Sequence, residues 1–210
     1  MQAGVELDKA KEFDLACFHI RNRKQLEVNS HVMVLLKPQD TLLALKYWSL
    51  RLNGQHASVR ELAESLAMSP SEASKGAKRL LVSGLLVDRE GVFYAEANAL
   101  FEWLSYGVRY AFPAQTLGFG RGMGTAWNCS LIKAAIVPPV PGHVWASASA
   151  SGTQEGIFVK PIYAGVPLAA FKDEQLYKAL ALVDAVRLGK PRELVVARES
   201  LKILLTGKRQ

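Results

Sequence analysis

Residues 58–95 read SVRELAESLAMSPSEASKGAKRLLVSGLLVDREGVFYA, and their punctuation decides how the chain folds. Ser58-Val59-Arg60-Glu61 has the form of a capping box, in which the hydroxyl accepts from the amide three residues on and the glutamate reaches back to the cap amide. Val59, Leu62, Ala63 and Leu66 then share one helical face. Ser69-Pro70-Ser71-Glu72 opens a second helix with proline at its first position, where a missing amide hydrogen costs nothing. The two boxes lie eleven residues apart, which leaves room for one short helix and a turn. The second helix is expected to bury Ala73, Gly76, Ala77, Leu80 and Leu81, and to turn Ser71, Ser74, Lys75, Lys78 and Arg79 to solvent. A glycine in mid-helix costs about 0.5 to 1 kcal/mol relative to alanine, so Gly76 asks for a packing reason, and close approach to the helix opening at Ser58 would supply one. Gly84 suits a C-cap. Leu85 to Asp88, Arg89-Glu90-Gly91 and Val92 to Ala95 read as strand, turn and strand.

Two capped helices joined by a tight turn and followed by a Gly-tipped hairpin have the layout of a winged helix-turn-helix. Three cations and two hydroxyls on the free face of the second helix suit a groove lined by phosphates and base edges. Ser71, Ser74, Lys75, Lys78 and Arg79 are therefore expected to enter the major groove of double-stranded DNA, while Arg60 and Arg89 hold phosphates.

With Asp40 to Leu52 as the preceding helix, the run SVRELAESLAMSPSEASKGAKRLLVSGLL resembles the winged helix-turn-helix of MarR-type bacterial transcription regulators. The resemblance implies that Ser71 to Val82 is a recognition helix and that the hairpin touches DNA backbone or minor groove. It is confined to the N-terminal half: residues 105–170 depart from the family, and its long C-terminal dimerisation helix is not evident. Oligomeric state and effector are not carried over.

Charge sharpens the division. The chain has 210 residues and a formal net charge of +7, with an isoelectric point near 9.5, which favours polyanionic partners. Between Lys37 and Gly91 eight cations face six acids, so the DNA-reading segment is barely basic. Residues 101–210 carry 13 cations against seven acids, so the excess sits in the C-terminal half. That half is expected either to add phosphate contacts through Arg109 and Arg121, which lie among several aromatics, or to meet an acidic protein partner.

The remaining chain reads as follows. Val5 to Arg23 is moderately helical and ends in the basic cluster Arg21 to Lys24; His31 to Leu36 is β-rich. Thr41 to Leu52 is the first core helix. Glu96 to Tyr106 reads as a connecting helix, and Gly107 to Phe112 alternates weakly. Gly118-Phe119-Gly120-Arg121-Gly122-Met123-Gly124 lacks the lysine and spacing of a phosphate cradle and reads as a mobile surface loop. Pro138 to Gly142 should be extended or turn-like, Ser147 to Gly152 flexible, and Val144-Trp145 and Gly156 to Val159 short strands. Lys172 to Leu188 and Arg192 to Leu205 are helices, followed by a basic tail.

These elements predict an α+β fold: an N-terminal helix and arm over 1–36, a winged helix-turn-helix over 37–104, and a smaller mixed domain over 105–210, closed by two helices and serving partner binding or dimerisation. Two distant cysteines, Cys17 and Cys129, and four scattered histidines argue against a disulfide framework or a metal site. Cys129 with His143 is the only imaginable nucleophilic pair and is read as a buried thiol. No cofactor motif and no secretory or membrane-spanning run is visible, so a cytoplasmic non-enzyme is expected. The leading reading is a sequence-specific transcriptional regulator, a repressor acting as a homodimer. The alternative is an antitoxin-like module that neutralises a partner protein and autoregulates its operon, similar in layout to type IV antitoxins of abortive-infection systems.

Overall fold

Helix α1 (Pro38–Leu52) opens on a proline and an acid, and the Asp40 carboxylate accepts the Lys37 amide at 2.8 Å. Its residues from Asp40 to Leu45 are buried without interruption, so it lies inside the molecule rather than along its surface. The structure, a computed structural model, describes residues 35–132, 139–146 and 153–207. The expected Val5 to Arg23 helix, the Arg21 to Lys24 cluster, the strand at His31 except Leu35 and Leu36, the Ser147 to Gly152 loop and Lys208 to Gln210 lie outside those residues.

Helix α2 (Val59–Ser65) and helix α3 (Pro70–Val82) start where the serines place them. Ser58 forms the full capping box, with its amide donating to Glu61 at 2.7 Å and its hydroxyl accepting from the Glu61 amide at 3.3 Å. Ser69 accepts from the Glu72 amide at 3.1 Å, whereas the Glu72 carboxylate turns away to Arg79. All three helices end in the same way. The amides of Gly54, Ala67 and Gly84 bond back to Arg51, Glu64 and Leu81, and the amides of Gln55, Met68 and Leu85 bond back to Leu50, Ala63 and Leu80. This paired pattern needs a left-handed residue at its centre. Gly54 and Gly84 meet that need with φ of 61° and 74°, and Ala67 is held there at 51°.

Strands β1 (Leu86–Arg89) and β2 (Val92–Ala95) pair antiparallel with Arg89 opposite Val92. The two-residue turn Glu90-Gly91 has positive φ at both positions, 56° and 83°, which matches the twist of a tight hairpin. Gly76 does have a packing reason, but a different one from that expected. A β-carbon there would lie 2.9 Å from both Asp40 Oδ1 and Leu43 Cδ2, so it admits α1 and not α2.

Beyond the hairpin, α4 (Ala97–Glu102) runs through a π-helical turn (Trp103–Gly107) into α5 (Val108–Ala111), so the weak alternation at Gly107 to Phe112 is helical. The Arg198 guanidinium donates to the Ser105 carbonyl at 3.0 Å, within the turn where the regular bonding ladder is interrupted. The glycine-rich run forms no loop: it lies within strand β3 (Thr116–Thr125). With β4 (Gly142–Trp145) and β5 (Thr153–Val159), β3 closes a three-stranded barrel, antiparallel to both partners, while β4 and β5 run parallel. The barrel is so narrow that some inward positions have no room for a side chain. A β-carbon on Gly122 would overlap the Trp145 carbonyl oxygen, and one on Gly156 would lie 2.6 Å from the Gly142 carbonyl oxygen.

Three helices complete the fold. The expected helix Lys172 to Leu188 is divided, because Asp173 leaves helical geometry and caps α7 (Glu174–Leu188) after α6 (Val166–Lys172). Helix α8 (Pro191–Thr206) follows. Helix α7 is buried on all sides from Ala179 to Arg187 and is the axis of the core. The core is continuous from Leu42 of α1 to Leu205 of α8, and polar ties reinforce it. The Trp48 indole donates to the Leu205 carbonyl at 3.4 Å, and Lys46 and Ser49 of α1 both donate to Asp173. The class is α+β.

Candidate nucleic-acid interface

The buried stripe of α3, Ala73, Gly76, Ala77 and Leu80, fixes which face the helix presents. Ser71, Lys75 and Lys78 are exposed at i, i+4 and i+7 on the opposite side, and Ser74 beside them is half-buried. Neither lysine forms an ion pair with any described residue. Their ammonium groups are compact charges on flexible stems, a form suited to reaching phosphate oxygens.

Arg79 does not belong to that face, contrary to the sequence expectation. Its Nε and one terminal nitrogen donate to the two Asp40 oxygens, both at 2.7 Å, and the same terminal nitrogen donates to Glu72 at 2.7 Å. The side chain is 15% exposed and Asp40 is 1% exposed, so the pair is an internal bolt between α1 and α3. Glu72 also accepts from Gln39 at 3.0 Å and lies 3.7 Å from the Lys37 ammonium. The hydrogen bond from Arg79 outweighs burial and holds the Glu72 carboxyl below its ordinary range. With two donors and the Lys37 ammonium around it, Glu72 is engaged away from Lys75 and Lys78.

Arg60 is exposed on α2, and Glu61 next to it is fastened to the Ser58 amide and hydroxyl, which lower its carboxyl from the usual value. Arg89 is exposed at the end of β1 with its guanidinium 5.8 Å from the Tyr94 ring centre. Asp88 is engaged in the turn, accepting the Gly91 amide at 2.9 Å. Arg60, Lys75, Lys78 and Arg89 thus carry no ion pair among the described residues, while three neighbouring acids, Glu61, Glu72 and Asp88, are occupied internally.

Arg109 and Arg121, the two C-terminal expectations, are not brought into one cluster. Arg109 is half-buried, 5.5 Å from the Tyr110 ring centre, and Arg121 pairs with Glu155 across β3 and β5 at 3.2 Å. Of the aromatics in this half, Trp127 and Trp145 are core, while Tyr106, Tyr110 and Phe119 stand exposed.

Cys129 is buried, and burial pushes its thiol up. The hydroxyl of Tyr177, itself raised by burial, donates to the Gly124 carbonyl at 2.6 Å. Burial lowers His143, and no contact joins it to Cys129. Among the described residues no group of three His, Cys, Asp or Glu has the arrangement of a metal site. No helix among them is long and apolar enough to cross a membrane.

Sequence reading missed a buried acid in the core helix. Asp184 on α7 accepts from the Trp145 indole at 2.6 Å, from Thr125 at 3.0 Å and from Arg187 at 2.6 Å. Burial raises its carboxyl and these donors oppose that shift. Arg187 in turn donates to the Phe112 and Pro113 carbonyls at 2.9 and 3.2 Å, which ties the barrel and the end of α5 to the core helix. An acid with an arginine three residues on, inside the apolar run LALVDAVRL, is the available signal for it. Asp40 carries no comparable signal, because its partner is 39 residues away.

No protein-family model, curated protein or solved structure matches this chain.

Proposed function

We propose that the chain is a sequence-specific, double-stranded DNA-binding transcriptional regulator, a repressor in which α2, α3 and the β1–β2 hairpin act as a winged helix-turn-helix. The observation that carries this reading is the pairing state of the α3 face. Lys75 and Lys78 are exposed and unpaired among the described residues, beside Ser71, while the nearby Glu72 is consumed by Arg79. In this reading α3 lies in the major groove with Ser71 and Ser74 toward base edges, Lys75 and Lys78 toward phosphates, and Arg60 and Arg89 on the flanking backbone. A mobility-shift assay on DNA from the chain's own promoter tests it. A discrete complex that survives excess unrelated duplex and weakens on Arg89→Ala supports the reading; no complex at low salt contradicts it.

A second reading, an antitoxin-like protein that also autoregulates, is favoured by one observation. Leu168 and Phe171, three residues apart on α6, are 46% and 65% exposed beside the exposed Lys172, a small apolar face with a cationic edge that suits an acidic protein. Co-purification in fixed stoichiometry with the acidic product of an adjacent gene, lost on Phe171→Asp, is the outcome that reading requires.

A further inference from the structure

A cleft of about 270 Å³ lies where the C-terminal end of α1, residues 55–59 leading into α2, and strand β2 meet. Pockets for drug-sized ligands start near about 300 Å³, so this one suits a single ring with a small head group. Its walls are largely aromatic. Tyr47 and Phe93 stand 6.4 Å apart between ring centres, and His56 meets Tyr94 edge to face at 5.6 Å. No carboxylate lines the cleft, and the one Lys or Arg on its walls is Arg51. Arg51 donates one terminal nitrogen to the Ala95 carbonyl at 3.1 Å and forms no ion pair among the described residues. Most of its fork of donors is therefore left for an acceptor in the cleft. Glu61, whose capping partner Ser58 lines the cleft, is turned onto the Ser58 amide at 2.7 Å.

Tyr47 supplies a second, independent observation. The residue is only 9% exposed, yet its hydroxyl is hydrogen-bonded to no described residue. Buried tyrosine hydroxyls ordinarily find a partner, so the chain leaves a donor unfilled on the wall of a cleft. Burial raises the ionisation of that hydroxyl and keeps it a neutral donor. We infer that the cleft is a binding site for a small planar organic anion, with its ring against Phe93 and Tyr94 and its charged head on the Arg51 guanidinium and the Tyr47 hydroxyl. The aromatic walls favour a flat apolar body, and a guanidinium with no acid beside it in the cleft favours a carboxylate. A bare phosphate, whether free or in a DNA backbone, would leave the aromatic walls unfilled. The inference stands apart from the DNA reading, because binding is measured on the free chain.

The test is a nuclear magnetic resonance titration of the full chain with benzoate, benzamide and inorganic phosphate. Benzoate is expected to bind saturably with a Kd of about 1 mM or tighter, and to shift the signals of Tyr47, His56, Phe93 and Tyr94 together. Benzamide keeps the ring and lacks the charge, while phosphate keeps the charge and lacks the ring, so each should bind at least about tenfold more weakly. These comparisons use the wild-type chain and depend on no variant's folding. Arg51→Gln should weaken benzoate about tenfold and leave benzamide unchanged. Tyr47→Phe should weaken benzoate severalfold without lowering the melting temperature, because no partner within the chain is lost. An absence of saturable benzoate binding, shifts centred elsewhere, benzamide or phosphate binding as tightly as benzoate, or full benzoate affinity in either variant overturns the inference.

Discussion

Arg79 and Asp40 meet in a two-pronged ion pair, both contacts at 2.7 Å, although 39 residues separate them. The pair fixes α3 against α1 at the point where Gly76 leaves room for it, so it sets the angle at which Ser71, Lys75 and Lys78 are presented. Removing one partner strands a buried charge, which costs about 3 kcal/mol. Arg79→Met is expected to lower the unfolding free energy by that order in urea titration. Arg79→Lys should recover little, since an ammonium cannot engage both oxygens in the plane of the carboxylate. Combining Asp40→Leu with Arg79→Met should recover most of the loss.

Ala67 holds a left-handed conformation that glycine adopts at two of the three equivalent helix ends. Its side chain is exposed, so nothing is lost by removing it. Ala67→Gly is expected to stabilise the protein by about 0.5 to 1 kcal/mol, and the β-branched Ala67→Val to destabilise it, both read as shifts in melting temperature.

Gly122 and Gly118 stand four residues apart on the same strand with opposite surroundings. A β-carbon on Gly122 would strike the Trp145 carbonyl, and one on Gly118 meets nothing within 4 Å. Gly122→Ala should cost about 3 kcal/mol or prevent folding, while Gly118→Ala should be neutral or slightly stabilising. Parallel denaturant titrations of the two variants check this contrast.

Asp173 caps α7 through the Leu176 amide at 3.0 Å and receives Lys46 at 2.8 Å and Ser49 at 2.7 Å. Burial alone would raise its carboxyl, but these donors win and the value lies below the ordinary 3.8. A carboxyl depressed in the folded state contributes stability that is present above its unfolded value and is lost as pH falls through the folded one. Unfolding free energy should therefore decline in the acid range below the ordinary carboxylate value. Asp173→Asn, which keeps the cap and loses the charge, should be less stable at neutral pH and show a shallower acid decline.

What was legible from the chain alone was local. Ser58 and Ser69 start helices, Gly84 ends one, and Glu90-Gly91 turns the hairpin, because each of those outcomes depends on neighbours within four residues. The orientation of Lys75 and Lys78 followed from the same periodicity. Arg79 was misjudged because helical spacing places it at the edge of the free face, and only the distant Asp40 draws it inward. The glycines from Gly118 to Gly124 suggested a loop because glycine weakens strands in general; here the close approach of Phe158 to Gly120, of Trp145 to Gly122 and of Asn128 to Gly124 requires three of them. The run from Lys172 to Leu188 carries no sign of its division at Asp173, whose partners Lys46 and Ser49 lie on α1, more than 120 residues earlier.

The central claim is that Lys75 and Lys78 on α3 neutralise DNA phosphates. Fluorescence anisotropy of a labelled promoter duplex, titrated over a range of salt concentrations, measures this directly, because each neutralised phosphate adds about 0.9 to the slope of log affinity against log salt. The Lys75→Ala, Lys78→Ala double variant, folded as judged by an unchanged melting temperature, should bind more weakly and with a slope shallower by about 1.8. Unaltered affinity and slope in that variant would contradict the claim.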